Sequence, residues 1–307
     1  MDLIERAAKS ASKDKKSSLL ERAADRLKPQ PAAEEPAGQA AGASQPADVP
    51  VDAGPPQPTR KSRYGEIDLD RMREMGFITP DISPTLTAEE FRTIKRTLLV
   101  NAFAKGDGAI QNGNLILVTS SQPGEGKTFC SINLALSIAS EQDLTVLLID
   151  ADFAKPELLS VMGLEGGKGL LDVVSDPELD LADCMIRTNV PNLTIVPSGR
   201  HHNLTTELLA SDRMGMIVEE IAKRYSDRVV IIDSPPALAS SVASVLAMHV
   251  GQCLFVVQAE RTTEPQVKEA LALVSPCDNV KMILNRAKFS GGNKKFVSYY
   301  RYGYGNR

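Results

Sequence analysis

The chain has 307 residues, enough for one large domain or two small ones. Its formal net charge of −4 gives no overall attraction to nucleic acid, and its four cysteines form no C-x-x-C pair, which argues against a zinc or iron–sulfur site. No apolar run reaches the roughly 18 residues that span a bilayer, and no secretory leader is evident, so we expect a cytoplasmic protein.

The first 60 residues lack the pattern of a folded core. Residues 1–28 carry eight basic and five acidic side chains, and residues 3–8 return as a near repeat at 19–24, which predicts two short amphipathic helices. Such helices would dock to a partner or an anionic surface, or form only a weakly helical tail. Residues 29–60 contain eight prolines and almost no large apolar side chains, which predicts a disordered linker.

Residues 61–290 are predicted to form one domain, whose first firm helix lies near its start. Residues 87–90 have capping-box spacing, and Phe91, Ile94 and Leu98 make an apolar stripe at helical spacing. The charged residues of this helix lie largely off the stripe, which predicts a solvated face: Glu89, Arg92, Lys95 and Arg96.

From residue 113 onward, apolar strand-like runs alternate with helical patterns. Strands are predicted at 115–119, 144–149, 193–196, 229–232, 253–257 and 280–284, and helices at 127–140, 205–224, 238–248 and 264–274. This alternation is typical of an α/β fold with a mostly parallel sheet and helices on both faces. Ligands of such sheets bind outside the carboxyl ends of the strands.

The most informative motif is the loop of residues 120–128, Ser-Ser-Gln-Pro-Gly-Glu-Gly-Lys-Thr, between a predicted strand and a predicted helix. Its backbone N–H groups and the helix N-terminus would hold nucleotide phosphates, Lys127 would reach the β- and γ-phosphates, and the Thr128 hydroxyl would bind Mg²⁺. Ser121 replaces the first glycine of the strict motif, so an ordinary strand–helix turn is the alternative. The predicted nucleotide contacts here are Gln122, Pro123, Gly124, Glu125, Gly126, Lys127, Thr128 and Phe129.

Two carboxylate motifs follow other predicted strands. Asp150 and Asp152 come after one apolar run, and Asp233 comes after another. Because parallel strands end at the same edge of a sheet, these carboxylates and Thr128 are expected to converge on one Mg²⁺ ion. Each aspartate taken alone would equally be a helix cap.

The chain ends in a segment that neither helix nor strand periodicity explains. Residues 291–307 are predicted to form a flexible tail, and residues 290–295 are the spacer at its start. The last nine residues hold four of the six tyrosines of the chain: Tyr299, Tyr300, Tyr302 and Tyr304.

These motifs resemble the bacterial tyrosine kinase family, the autokinases of polysaccharide synthesis and export, and within it the branch linked to exosortase-associated polysaccharide loci. The resemblance covers residues 61–307. It rests on residues 120–128 as the Walker A motif, on 148–156 as the extra A′ motif of the family, on 231–236 as Walker B, and on the terminal tyrosines.

The resemblance implies a P-loop NTPase fold and phosphorylation of the four tail tyrosines with ATP and Mg²⁺, largely between neighbours in a ring. It also implies activation at the inner face of the membrane by a transmembrane polysaccharide chain-length regulator, reversal by a tyrosine phosphatase, and no nucleic-acid partner. The implied catalytic residues are Lys127, Asp150 as the base or base-orienting group, and Asp152. The implied metal ligands are Thr128, Asp150, Asp152 and Asp233, and further nucleotide contacts are Asn285 and Arg286.

The chain departs from the family pattern at two places. An arginine of the A′ motif is Ala154 here, so its phosphate contact is lost or passes to Lys155. The ring-forming E-x-x-R-x-x-R pattern appears as Glu89, Arg92 and Lys95, and lysine lacks the bidentate fork of arginine.

Two other functions use the same features. A partition- or division-type ATPase has this fold, but carries a signature lysine early in the phosphate loop, where this chain has Gln122. A nucleotide-gated scaffold would use the tail tyrosines for stacking contacts rather than as phosphate acceptors.

Overall fold

The computed structural model describes residues 63–80, 85–224 and 227–288. All of them belong to one compact unit of the chain, Pro58–Arg307. The predicted N-terminal helices, the proline-rich linker and the tyrosine tail lie outside the described residues, and the domain boundaries stay predictions.

Eight strands occur in the described residues: β1 Arg63–Gly65, β2 Leu115–Ser120, β3 Thr145–Asp150, β4 Ile186–Thr188, β5 Leu193–Val196, β6 Arg228–Asp233, β7 Gln252–Gln258 and β8 Val280–Asn285. They form one sheet in the order β1-β4-β5-β3-β6-β2-β7-β8. The neighbours β4 and β5 are antiparallel, and the other neighbouring pairs are parallel. The mostly parallel sheet predicted from the sequence is confirmed.

The helices of the described residues are α1 Leu69–Glu74, α2 Leu86–Ala102, α3 Lys127–Ala139, α4 Leu158–Met162, α5 Leu170–Ser175, α6 Leu181–Cys184, α7 Thr205–Leu209, α8 Asp212–Arg224, α9 Val242–Ala247 and α10 Glu264–Leu273. Helices α1 to α4 pack on one face of the sheet, and α5 to α10 pack on the other. Across the same described ranges, no helix is long and apolar enough to cross a membrane.

The central strands are continuous apolar runs because both of their faces are buried. In β2, Leu115 and Leu117 point into one core layer, whereas Ile116 and Val118 point into the other. Full burial of such a side chain stabilises the fold by about 1.5–3 kcal/mol. The two layers therefore hold the carboxyl ends of these strands, and the loops that follow them, in fixed positions.

Two helix boundaries differ from the prediction. The predicted helix 205–224 is two helices, because Ser211 lies between them and its hydroxyl donates to the carbonyl of Leu208 at 2.6 Å. The capping box predicted at 87–90 is wrong, since the hydroxyl of Thr85 caps α2 by accepting a backbone N–H at 3.1 Å.

The apolar face of α2 contains a lysine that the sequence analysis placed among solvated charges. Phe91 and Leu98 are buried as predicted, and Lys95 is buried between them with 5% exposure. Its Nζ donates to the carbonyl of Ser137 at 2.7 Å and lies 2.5 Å from Glu141 Oε1. Lys95 therefore joins α2 to α3 and to the turn that follows α3.

Candidate active site

The three strands that precede the predicted motifs are neighbours in the sheet. β6 lies between β3 and β2, and the parallel register pairs Asp233 with Asp150 on one side and with Val118 on the other. The phosphate loop, which follows β2, therefore opens beside both carboxylate motifs.

The phosphate loop adopts a conformation that only glycine takes easily. Gly124 and Gly126 have φ angles of +82° and +96°. A Cβ atom at Gly126 would lie 2.1 Å from Asn285 Nδ2. That amide donates to the carbonyl of Glu125 at 2.8 Å. The end of β8, predicted to contact nucleotide, thus lies against the loop.

Lys127, the first residue of α3, meets the second carboxylate of the A′ motif. Its Nζ lies 2.6 Å from Asp152 Oδ2, and the two side chains are only 13% and 8% exposed. A phosphate group bound at the start of α3 would compete with Asp152 for this ammonium group.

Asp150 carries a buried oxygen that lacks a partner. Its Oδ1 accepts the N–H of Asp152 at 3.1 Å, while its Oδ2 has no hydrogen-bond donor among the residues the structure describes. Burial and the adjacent Asp233 carboxylate raise the pKa of Asp150 to about 7. Leaving such an oxygen unsatisfied costs about 1–3 kcal/mol, and a hard cation would satisfy it.

Asp233 is held by hydroxyl groups of α3. Ser131 Oγ donates to its Oδ1 at 2.9 Å, and the Thr128 side chain also hydrogen-bonds to it. Burial raises the pKa of Asp233 to about 6, against the opposing effect of Lys127. The sequence analysis missed Ser131, although its position one helical turn after Lys127 was the available signal.

The oxygen atoms gathered here fit a magnesium ion. Thr128 supplies a hydroxyl, Asp233 a carboxylate, and Asp150 the buried oxygen that lacks a donor within the described chain. The described residues contain no group of three or more His, Cys, Asp or Glu side chains that could hold a metal. Phosphate oxygens and water would therefore complete the coordination, as is usual for Mg²⁺.

Two of the predicted contact residues, Glu125 and Phe129, direct their side chains into the protein. The ring of Phe129 is partly buried against the core, and its centroid lies 4.9 Å from that of the Phe77 ring. The Glu125 side chain is 1% exposed and turned into the protein. Arg286 has a φ of +57°, and its Nη1 is 3.5 Å from Gln258 Oε1, at the end of β7.

Lys155, to which the contact of the family arginine was expected to pass if it was not lost, is engaged in another contact. Lys155 Nζ lies 2.7 Å from Glu157 Oε1 in an exposed ion pair. For Lys155 to contact a phosphate, this pair would first have to open.

The three residues predicted for ring contacts do not share one surface. Arg92 and Glu89 form an ion pair on the outside of α2. Lys95 instead bonds within the core, as described above, so its predicted part in an oligomer contact is not supported by its position. The four predicted acceptor tyrosines lie outside the described residues.

Comparison with known proteins identifies the family of the chain. Residues 113–284 match the family described as AAA domain. The chain is 32% identical over 219 residues to EpsB of Ralstonia nicotianae, a match that covers 71% of this chain and 27% of EpsB. It is 31% identical over 220 residues to the tyrosine-protein kinase YwqD of Bacillus subtilis, covering 72% of this chain and 86% of YwqD.

A solved structure shows the same architecture. The kinase domain of the Escherichia coli tyrosine kinase ETK matches with a TM-score of 0.57 and 26% identity, over 75% of this chain and 94% of that domain. The chain spans 27% of the length of EpsB, so the match concerns one part of such longer relatives. The predicted P-loop NTPase fold is confirmed, and the chain belongs to the bacterial tyrosine kinase family.

Proposed function

We propose that the chain is a protein-tyrosine autokinase that uses ATP and Mg²⁺ to phosphorylate its own C-terminal tyrosines. The observation that carries the proposal is the cluster at the carboxyl edge of the sheet: Lys127, Thr128, Asp150, Asp152 and Asp233. The names of YwqD and ETK as tyrosine kinases support the reaction class. The acceptors would be Tyr299, Tyr300, Tyr302 and Tyr304.

Each residue of the cluster has its own role in the reaction. The loop N–H groups and the start of α3 bind the phosphates, and Lys127 exchanges its contact with Asp152 for one with a phosphate oxygen. A bound Mg²⁺ ion would neutralise phosphate charge. Asp150 accepts the proton of the tyrosine hydroxyl as its oxygen attacks the γ-phosphorus and ADP leaves, or it orients the group that does so.

The properties of Asp150 suit a base. An unperturbed tyrosine hydroxyl has a pKa of about 10, so it is protonated at neutral pH and needs a proton acceptor during attack. Burial and the neighbouring Asp233 raise the pKa of Asp150 to about 7 in the metal-free protein, and a bound Mg²⁺ ion beside it would favour the carboxylate form that accepts a proton.

The tail is long enough for transfer between subunits. The roughly twelve residues from 287 to 299 span up to about 40 Å when extended. We infer a ring-like homo-oligomer in which Glu89 and Arg92 contribute contacts. A transmembrane chain-length regulator would recruit it to the membrane, and a tyrosine phosphatase would reverse the modification. The pathway would be polysaccharide synthesis and export, of the exosortase-associated kind.

Mapping of phosphotyrosine by mass spectrometry, after incubation with ATP and Mg²⁺, tests the reaction. We expect phosphate on the tail tyrosines, and its loss in Lys127→Met. Lys268→Met is the matched control, because that lysine lies on the exposed face of α10 in an ion pair with Glu264. Phosphotyrosine that persists in Lys127→Met would overturn the proposal.

Assays of ATP hydrolysis and of nucleotide binding, added to this experiment, separate the two other functions. ATP hydrolysis without phosphotyrosine would favour the partition-type ATPase, and nucleotide binding without hydrolysis or phosphotyrosine would favour the scaffold. A variant with all four tail tyrosines changed to Phe should still bind ATP but give no tail signal.

A further inference from the structure

Glu125 is a buried carboxylate within the phosphate loop, and both of its oxygens are occupied by other protein groups. The side chain is 1% exposed. Its Oε2 accepts the N–H of Gln122 at 2.8 Å, and its Oε1 accepts the hydroxyl of Thr262. Such a side chain cannot contact the nucleotide, although the loop motif places it among the nucleotide-binding residues.

The hydroxyl of Thr262 connects this carboxylate to the end of β7. Thr262 Oγ1 accepts the N–H of Gln258 at 3.1 Å, and the N–H of Thr262 donates to the carbonyl of Gln258 at 3.1 Å. Gln258 is the last residue of β7. A continuous hydrogen-bonded connection therefore runs from the phosphate loop to the carboxyl end of β7, the strand beside β2.

The main chain of the same residue is fixed from the other side. Asn285 Nδ2, at the end of β8, donates to the carbonyl of Glu125 at 2.8 Å. Gly124 and Gly126, on either side of Glu125, have left-handed φ angles of +82° and +96°. Glu125 is thus the point at which a loop of unusual backbone conformation is attached to two strands.

We propose that Glu125 is a positioning residue: together with Thr262 it holds the phosphate loop in the nucleotide-binding conformation before nucleotide arrives. We call this connection the Glu125–Thr262 tie. The proposal rests on the proposed nucleotide binding. It adds that the loop after β7, which contains Thr262, strengthens the binding of nucleotide.

The neighbour of Thr262 extends the effect of the tie. Arg261 Nη1 lies 3.8 Å from the position that a Cβ atom on Gly124 would take, and 3.5 Å from Gln258 Oε1. Because Arg261 and Thr262 share one loop, the tie also holds a guanidinium group over the phosphate loop. Loss of the tie would therefore free both the phosphate loop and the Arg261 guanidinium group.

Thr262→Val tests the tie with little change in volume, and Thr262→Ser is its matched control because it keeps the hydroxyl group. We expect Thr262→Val and Glu125→Ala to raise the dissociation constant of ADP and the KM for ATP about tenfold. The kcat of Thr262→Val at saturating ATP should stay near the wild-type value, since Thr262 contacts neither Lys127 nor Asp150. Thr262→Ser should behave as wild type, and the double variant should lose no more than either single one.

Hydrogen exchange of the nucleotide-free protein provides a readout that does not depend on activity. We expect the peptide containing the amide of Gln122 to exchange faster in Thr262→Val and Glu125→Ala, and at the wild-type rate in Thr262→Ser. Glu269→Ala, at an exposed position of α10, controls for the loss of a negative charge.

Unchanged exchange and unchanged ADP affinity in folded Thr262→Val would overturn the tie. If Glu125→Ala fails to fold, the two Thr262 variants still decide the matter. A wild-type chain that binds neither ADP nor ATP would instead overturn the proposed function, while the exchange experiment on the nucleotide-free chain would still test the tie.

Discussion

Lys127 and Asp152 hold each other at 2.6 Å in a largely buried ion pair. The lysine begins α3 and the aspartate follows β3, so the pair joins the phosphate loop to the A′ motif. Both groups have proposed roles that require them to separate, because a phosphate oxygen has to replace Asp152 beside the ammonium group. We therefore expect nucleotide binding to break this pair.

Asp152→Asn should separate these two effects. Removing the competing charge leaves Lys127 available, so ADP should bind without metal at least as tightly as to wild type. Transfer to tyrosine should fall about 100-fold or more, because the carboxylate is lost from the catalytic cluster. Calorimetry with ADP and a chelator, together with a phosphotyrosine rate assay, measures both. Weaker binding of metal-free ADP would contradict the competition.

The buried carboxylates should make the chelated, nucleotide-free chain depend on pH. Burial and Asp233 raise the pKa of Asp150 from an ordinary value of about 4 to about 7. The folded state thus holds the proton more tightly. The contribution of this bound proton to the free energy of unfolding is complete below about pH 4, and it is lost as the pH rises through about 7. Asp233, with a pKa raised to about 6, acts in the same direction.

Asp150→Asn should therefore gain stability over wild type as the pH rises from about 4 to about 8. The gain should be on the order of 4 kcal/mol at most, for a change of about three pKa units. Urea unfolding with a chelator at several pH values measures it, with Asp278→Asn as the exposed control. If the difference in the free energy of unfolding between variant and wild type stays constant with pH, the raised pKa of Asp150 is not its cause.

Lys95→Met should destabilise the fold. The change removes the ammonium group that donates to the Ser137 carbonyl and pairs with Glu141, and that carbonyl keeps only the Ser140 hydroxyl as a side-chain donor. We expect a loss of about 1–3 kcal/mol in the free energy of unfolding, measured by urea denaturation. An unchanged midpoint and slope would show that Lys95 has no such structural role.

Arg92→Ala should affect assembly without affecting the fold. Arg92 lies on the exposed side of α2, paired with Glu89, and such a pair contributes about 0–1 kcal/mol to stability. If the outer side of α2 makes the ring contact, sedimentation velocity should show smaller assemblies. Assemblies of wild-type size would place the ring contact elsewhere.

Gly126→Ala should weaken both the fold and the binding of nucleotide. The φ of +96° costs alanine about 1–2 kcal/mol, and the new Cβ would lie 2.1 Å from Asn285 Nδ2. Adding Asn285→Ala should recover only part of the stability, because it removes the clash but also removes the hydrogen bond from Asn285 to the Glu125 carbonyl, and the backbone strain stays. Thermal unfolding measures both variants. Gly215→Ala is the control, since a Cβ there meets nothing within 4 Å.

No recovery in the double variant would show that the clash with Asn285 contributes little. Gly215→Ala should leave the protein equally or more stable, because alanine is favoured over glycine inside α8 by about 0.5–1 kcal/mol.

The predicted strands at 115–119, 144–149 and 229–232 were each within one residue of the observed bounds at either end. Their apolar runs are long and buried on both faces, so pattern and structure agree. The three-residue strands β1 and β4 were missed, as were the helices α1 and α4 to α6, which have four to six residues each. Three residues are too few to show alternation, and less than two helical turns are too few to show a helical period.

The sequence by itself determined the α/β order, the phosphate loop and the carboxylates at the ends of two strands, because these depend on residues close together along the chain. Tertiary structure alone decided which groups meet. Lys127 forms a hydrogen bond with a residue 25 positions away along the chain. Lys95 forms one with a residue 42 positions away, and Glu125 forms one with a residue 137 positions away. Such contacts depend on how the sheet and helices pack, and no local pattern of side chains encodes them.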